Sequence, residues 1–199
     1  MPSPLDTLAP VYASAFVGML AFFTVPTQLP FSLTRTFGAS AGVSGAILAF
    51  SSLLGVVAAL LYPRLRLRIT APQVALLALV LLGVGLGMIG LTASYPLLLV
   101  GIALIGFGNG VSWPNFTSWV TAVAPPAARG QAVGLLSSSL FLGQFVSPLL
   151  SQPLAQATSL NGMYLGTAAL LIVASGLLYG TVIRPAASTR VVRQADQMS

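Results

Sequence analysis

Six stretches of this chain, each 21 to 28 residues long, contain no Asp, Glu, His, Lys or Arg. They run Val11–Leu33, Ala41–Tyr62, Ala71–Leu91, Pro96–Val123, Gln131–Ala155 and Gly162–Ile183. A helix rises about 1.5 Å per residue, so about 20 apolar residues cross the roughly 30 Å hydrocarbon core of a bilayer. Inside lipid the backbone must satisfy its own hydrogen bonds, which a helix does within one segment. The pattern predicts an all-α, polytopic membrane protein with six transmembrane helices and the lipid bilayer as its first partner.

The charges agree with that reading. Of 199 residues only 5% are charged, whereas a soluble domain averages about 25%. The net charge of +6 comes from eight arginines against Asp6 and Asp196. These arginines lie between the apolar runs or at their ends rather than in one stripe, which marks membrane topology and not a nucleic-acid face. Arg64, Arg66 and Arg68 follow the second run, Arg129 the fourth, and Arg184, Arg190 and Arg193 the sixth; Arg35 alone falls opposite. Under the positive-inside rule both termini are expected in the cytoplasm. Residues 1–9 read as a lead without a basic n-region, so the first run is a span and not a signal peptide. Residues 10–184 read as one membrane domain, and 185–199 as a disordered cytoplasmic tail.

The chain has no cysteine and no histidine. That removes disulfides, thiol nucleophiles, Cys/His metal sites and any imidazole base. An intramembrane serine protease lacks its histidine here, and an intramembrane aspartyl protease lacks aspartates in the spans. Neither an enzyme, nor a cofactor, nor a metal is expected.

Within the apolar runs a few residues stand out. Gly106 and Gly110, and Gly83 and Gly87, form G-x-x-x-G pairs that let a neighbouring backbone approach; Gly134 and Gly143 are further packing candidates. Pro26 and Pro30 interrupt the first run, Pro114 the fourth and Pro148 the fifth. Each frees a backbone carbonyl, giving a kink or a gate. Thr24, Thr27, Gln28, Asn109, Trp113, Asn115 and Gln144 offer uncharged hydrogen bonding and an aromatic face, as a substrate cavity needs. Runs one and four are proline-interrupted and each precedes a small-residue-rich run, as a three-plus-three inverted repeat predicts.

The stretch Arg129–Leu150, RGQAVGLLSSSLFLGQFVSPLL, resembles the eleventh helix of a major facilitator superfamily transporter through Arg129-Gly130, Gly134, Gly143 and Pro148. The fourth run, with WPN, resembles that family's tenth helix, and VPTQLP in the first its seventh. The resemblance implies a C-terminal six-helix half that moves a small organic molecule across a bacterial inner membrane, and its uncharged, aromatic-tinged wall suits efflux of amphipathic compounds. It implies a second six-helix half as partner, either a missing N-terminal one or another copy. Helices one and four would line the cavity, two and five would meet the partner half, and three and six would face lipid. The chain would then be a fragment, a truncated product or a half-transporter. The family's loop between helices two and three is degenerate: Arg64, Arg66 and Arg68 remain, without its Asp and glycines. The alternative is a six-helix membrane protein that scaffolds or regulates a partner without transporting.

Overall fold

The computed structural model describes residues 4–91 and 94–185. Six long helices account for nearly all of these: α1 Pro4–Phe37, α2 Ala41–Arg66, α3 Ala71–Leu91, α4 Tyr95–Val123, α5 Arg129–Ala157 and α6 Leu160–Leu178. A one-turn 3₁₀ segment precedes α5, and a π-helical turn, Tyr179–Ile183, continues α6. All six are long and apolar enough to cross a membrane. The first helix starts at Pro4, seven residues ahead of the apolar run. The part of the disordered tail expected from residue 186 onward, with Arg190, Arg193 and Asp196, lies outside the described residues, as do Thr92 and Ala93.

The helix ends follow local chemistry. Gly38, at φ 63°, adopts the left-handed conformation that closes α1 without a Cβ clash. Ser40 and Ser159 cap α2 and α6 by accepting from Val43 N at 3.4 Å and Gly162 N at 2.9 Å. At the start of α3, Gln73 Oε1 accepts from Thr70 N and Thr70 Oγ1 at 2.8 and 3.0 Å.

Paired residues give the directions of the helices. Tyr12 donates to the Ala132 carbonyl at 3.0 Å, while Thr24 and Gln28 meet Ser147 and Ser151, so α1 and α5 run parallel. Ser51 meets Ile102, Gly55 meets Gly106, and Tyr62 meets Ser118, so α2 and α4 run parallel too. Gly85 beside Gly101 and Asn115 beside Ala71 make α3 antiparallel to α4. Exchanging the first three helices for the last three maps the α1–α5 contact onto α4–α2, the relation an inverted repeat requires. This up-down order gathers Arg64, Arg66, Arg68, Arg129 and Arg184 at one end of the bundle and Arg35 at the other.

Burial is uneven. In their most apolar stretches α1 and α3 bury 56% of residues and α4 44%, against 22% for α2 and for α5. The third helix therefore departs from its expected lipid-facing place. It is wedged between α4 and α6 and touches α1, because glycine at 85 and 90 lets both neighbours in close. A stripe through Val84 and Leu91 stays exposed.

Candidate functional site

The site is built around the middle of α4. Asn109 stands halfway between Tyr95 and Val123, the position nearest the bilayer midplane in a helix that spans it. One turn further on, Trp113 is 46% exposed, whereas Trp119 of the same helix is buried. With Ser112 and Phe116 they line one side of a narrow crevice. Gly18 and Met19 of α1, Leu82 of α3 and Leu140 of α5 complete it. Its volume is about 10 Å³, room for about one water molecule. The wall is uncharged, with an amide and an indole as its polar and aromatic handles. Ser112 turns its hydroxyl back to the Gly108 carbonyl at 2.8 Å.

The other sequence-selected polar residues lie elsewhere. Thr24 and Gln28 are buried between α1 and α5, with Thr24 Oγ1 and Ser147 Oγ 3.4 Å apart and Gln28 Nε2 donating to Ser151 Oγ at 3.4 Å. Thr27 is half-buried and donates to the Phe23 carbonyl at 2.7 Å. Asn115 is fully buried; its Nδ2 donates to the Ala71 carbonyl at 3.0 Å, while its Oδ1 has no partner among the described residues. Gln144 is half-buried at the middle of α5 and outside the crevice. Of the seven, only Asn109 and Trp113 share the crevice wall.

The glycines separate into two groups. A methyl at Gly106 would strike the Ser51 carbonyl, one at Gly110 the Gly55 carbonyl, and one at Gly143 the Phe16 carbonyl. A methyl at Gly83 would sit tightly, 3.3 Å from Leu171 Cβ, one at Gly87 would make ordinary contact at 3.9 Å, and one at Gly134 would meet open space. Gly55 in α2 thus meets α4 as Gly143 in α5 meets α1, at matching points of the two halves of the repeat. Pro26, Pro30, Pro114 and Pro148 all sit inside helices. Lacking an N–H, Pro114 leaves the Gly110 carbonyl without its usual helical donor. At the arginine-rich end, Arg66 donates to the Ile69 carbonyl and ties down the loop between α2 and α3, whereas Arg64, Arg68 and Arg129 are exposed.

Residue-level reading missed Gly18, Met19, Leu82, Ser112, Phe116 and Leu140. They are small or apolar residues, and only the crossing of four helices brings them together.

The sequence matches the family model described as Major Facilitator Superfamily over residues 11–197. The chain belongs to this superfamily. It is an integral, multi-pass member with six of the family's helices. The multidrug efflux pump Tap of Mycolicibacterium fortuitum is 30% identical over 121 residues, which are 61% of this chain and 30% of that pump. The crystal structure of the human organic anion transporter MFSD10 (TETRAN) superposes with a TM-score of 0.80 at 23% identity, covering 89% of this chain and 42% of that one. A POT family transporter in complex with 5-aminolevulinic acid gives 0.79 at 19% identity, over 89% of this chain and 38% of its own. This superfamily chain thus spans less than half the length of the relatives it matches.

Proposed function

We propose that this chain forms one half of a secondary transporter that moves a small organic molecule by alternating access, with α1 and α4 as its part of the cavity wall. The observation that carries the reading is the mid-depth crevice where Trp113 stays exposed beside Asn109. A transport site lies near the midplane, where two halves rock about it, and a large aromatic left uncovered there fits a ligand or partner wall. An amide and an indole suit an uncharged or amphipathic organic molecule. Likeness to a multidrug efflux pump favours export, and the pump's bacterial source favours a bacterial cytoplasmic membrane. The arginine distribution supports cytoplasmic termini.

A second six-helix half completes the cavity. Its support is the sparse burial of α2 and α5, whose exposed faces carry Phe50, Leu53, Leu60, Phe141 and Phe145. None of the six apolar runs contains Asp, Glu, His, Lys or Arg, so in a proton-coupled assembly the other half carries the proton.

The test is co-expression with the N-terminal six helices of the Mycolicibacterium fortuitum pump, followed by reconstitution and measurement of ethidium movement in proteoliposomes. Movement is expected only with both halves present. Trp113→Ala is expected to weaken apparent affinity by about two- to thirteenfold, from the roughly 0.5–1.5 kcal/mol of an aromatic contact. A folded, inserted pair that never moves ethidium or other drug-like cations, anions and neutral compounds would overturn the proposal.

A further inference from the structure

At the opposite end from the arginine cluster, α1, α5 and the start of α6 line an open-mouthed cavity of about 340 Å³. Small-molecule sites range over about 300–1,000 Å³, so this one holds a small ligand. It lies within one six-helix unit and apart from the mid-depth crevice. Its lining is unusual for a chain that is 56% hydrophobic. Gln28, Phe31 and Arg35 come from successive turns of one face of α1, and Gln152 and Gln156 from one face of α5, with Leu160 of α6 beside them.

The charge balance decides what the cavity suits. Arg35 forms no hydrogen bond or ion pair with any described residue. Among the described residues the one acidic position is Asp6, in the first turns of α1. At about 1.5 Å per residue it lies roughly 44 Å along the helix from Arg35. An arginine near a helix C-terminus offsets the helix dipole, but that role needs no cavity and no amides. Here a five-donor guanidinium opens onto three carboxamides, which supply further donors without adding negative charge. Gln28 is held in place through Ser151. The N-terminus of α6, where Leu160 lines the wall, adds a positive end to the same space. Phe31, 57% exposed, gives the cavity an apolar wall.

We propose that this cavity binds an amphipathic organic anion, its carboxylate, sulfonate or phosphodiester head on Arg35 and the glutamines and its apolar body against Phe31 and Leu160. The same chemistry is offered by a soluble organic acid and by an anionic lipid in the outer-end leaflet.

The experiment uses the full chain purified in an uncharged maltoside, titrated calorimetrically with naphthalene-2-sulfonate and with its cationic isostere 2-naphthylmethylammonium. Saturable binding of the sulfonate and none of the ammonium is expected. Arg35→Gln should weaken the sulfonate about tenfold or more, since a charge-assisted contact is lost, while Arg129→Gln at the other end should not change it. Equal binding of both probes, or unchanged affinity in Arg35→Gln, would overturn the proposal. Should Arg35→Gln not fold, Gln156→Glu, at an exposed position of the same wall, decides instead: binding should be abolished, and unchanged binding refutes the site. Repeating the titration in nanodiscs identifies the natural source. Competition by phosphatidylglycerol but not phosphatidylcholine, lost in Arg35→Gln, assigns the cavity to lipid; sulfonate binding that is equal in both assigns it to a soluble anion.

Discussion

Asn115 brings two hydrogen-bonding groups into a fully buried helix interface, and only one of them is satisfied. Its Nδ2 holds α4 to the first residue of α3, below the proline that interrupts α4. Interhelical hydrogen bonds in membranes contribute about 0.6 kcal/mol on average and up to about 1.7. Asn115→Ala removes this bond and the orphaned Oδ1 together, so a loss of about 1 kcal/mol or less is expected. Asn115→Asp sets a carboxylate oxygen against the Ala71 carbonyl and should cost more than Ala does. Reversible unfolding in mixed micelles measures both; equal stability of the two variants would rule out the donor role of Nδ2. The sequence marks Asn115, Thr24 and Gln28 as polar residues in apolar helices but not the direction each faces. Amides and hydroxyls are needed in a cavity and at a helix interface for the same reason, a shortage of partners in lipid. The two indoles of α4 show the same limit: Trp119 is buried and Trp113 is 46% exposed, because neighbouring helices cover one and leave the other partly open.

Helices meet in this bundle where side chains are missing. On α2, Ser51 and Gly55 face Gly106 and Gly110 of α4; on α5, Gly143, Ser147 and Ser151 form a stripe against α1. Small residues four apart let backbones approach, which is the main attraction available between helices in lipid. Gly143→Ala would push a methyl into the Phe16 carbonyl, so a loss of about 1–3 kcal/mol is expected, as for an overpacked core. Gly134→Ala, on the same helix but facing open space, should be neutral or stabilise by up to about 1 kcal/mol through helix propensity. Thermal unfolding of the two variants in one detergent compares them directly, and a Gly134→Ala that loses as much as Gly143→Ala would refute the contact as the cause. The six helices and their order were legible because bilayer thickness sets their length and arginine cannot enter the hydrocarbon cheaply. The burial of α3 was not: its sequence is almost uniformly apolar, so neither face announces a neighbour. Gly85 and Gly90 carried that information, yet a glycine reads the same whether it meets a backbone or lipid.

For the molecule as a whole, the proposed second half is tested by which of the exposed apolar faces it covers. The exposed side of α5 bears Phe141 and Phe145, and that of α6 bears Ile172, Val173 and Leu177. Both are apolar, so hydrophobicity alone does not separate them. The inverted repeat does: α2 and α5 occupy matching places and are the two least buried helices, at 22% each against 28% for α6. If a second six-helix half docks across α2 and α5, spin labels there should lose contact with lipid while labels on α6 should not. The chain contains no cysteine, so Phe145→Cys and Val173→Cys each take a nitroxide at one position without background. In liposomes holding this chain alone, oxygen, which concentrates in the hydrocarbon, should broaden both spectra alike. On assembly with a partner half, the oxygen accessibility of the label at 145 should fall to the level of a buried position, and that at 173 should stay as it was. A label at 145 that remains as accessible as the one at 173, in a pair shown by affinity capture to be associated, would place the partner on some other face.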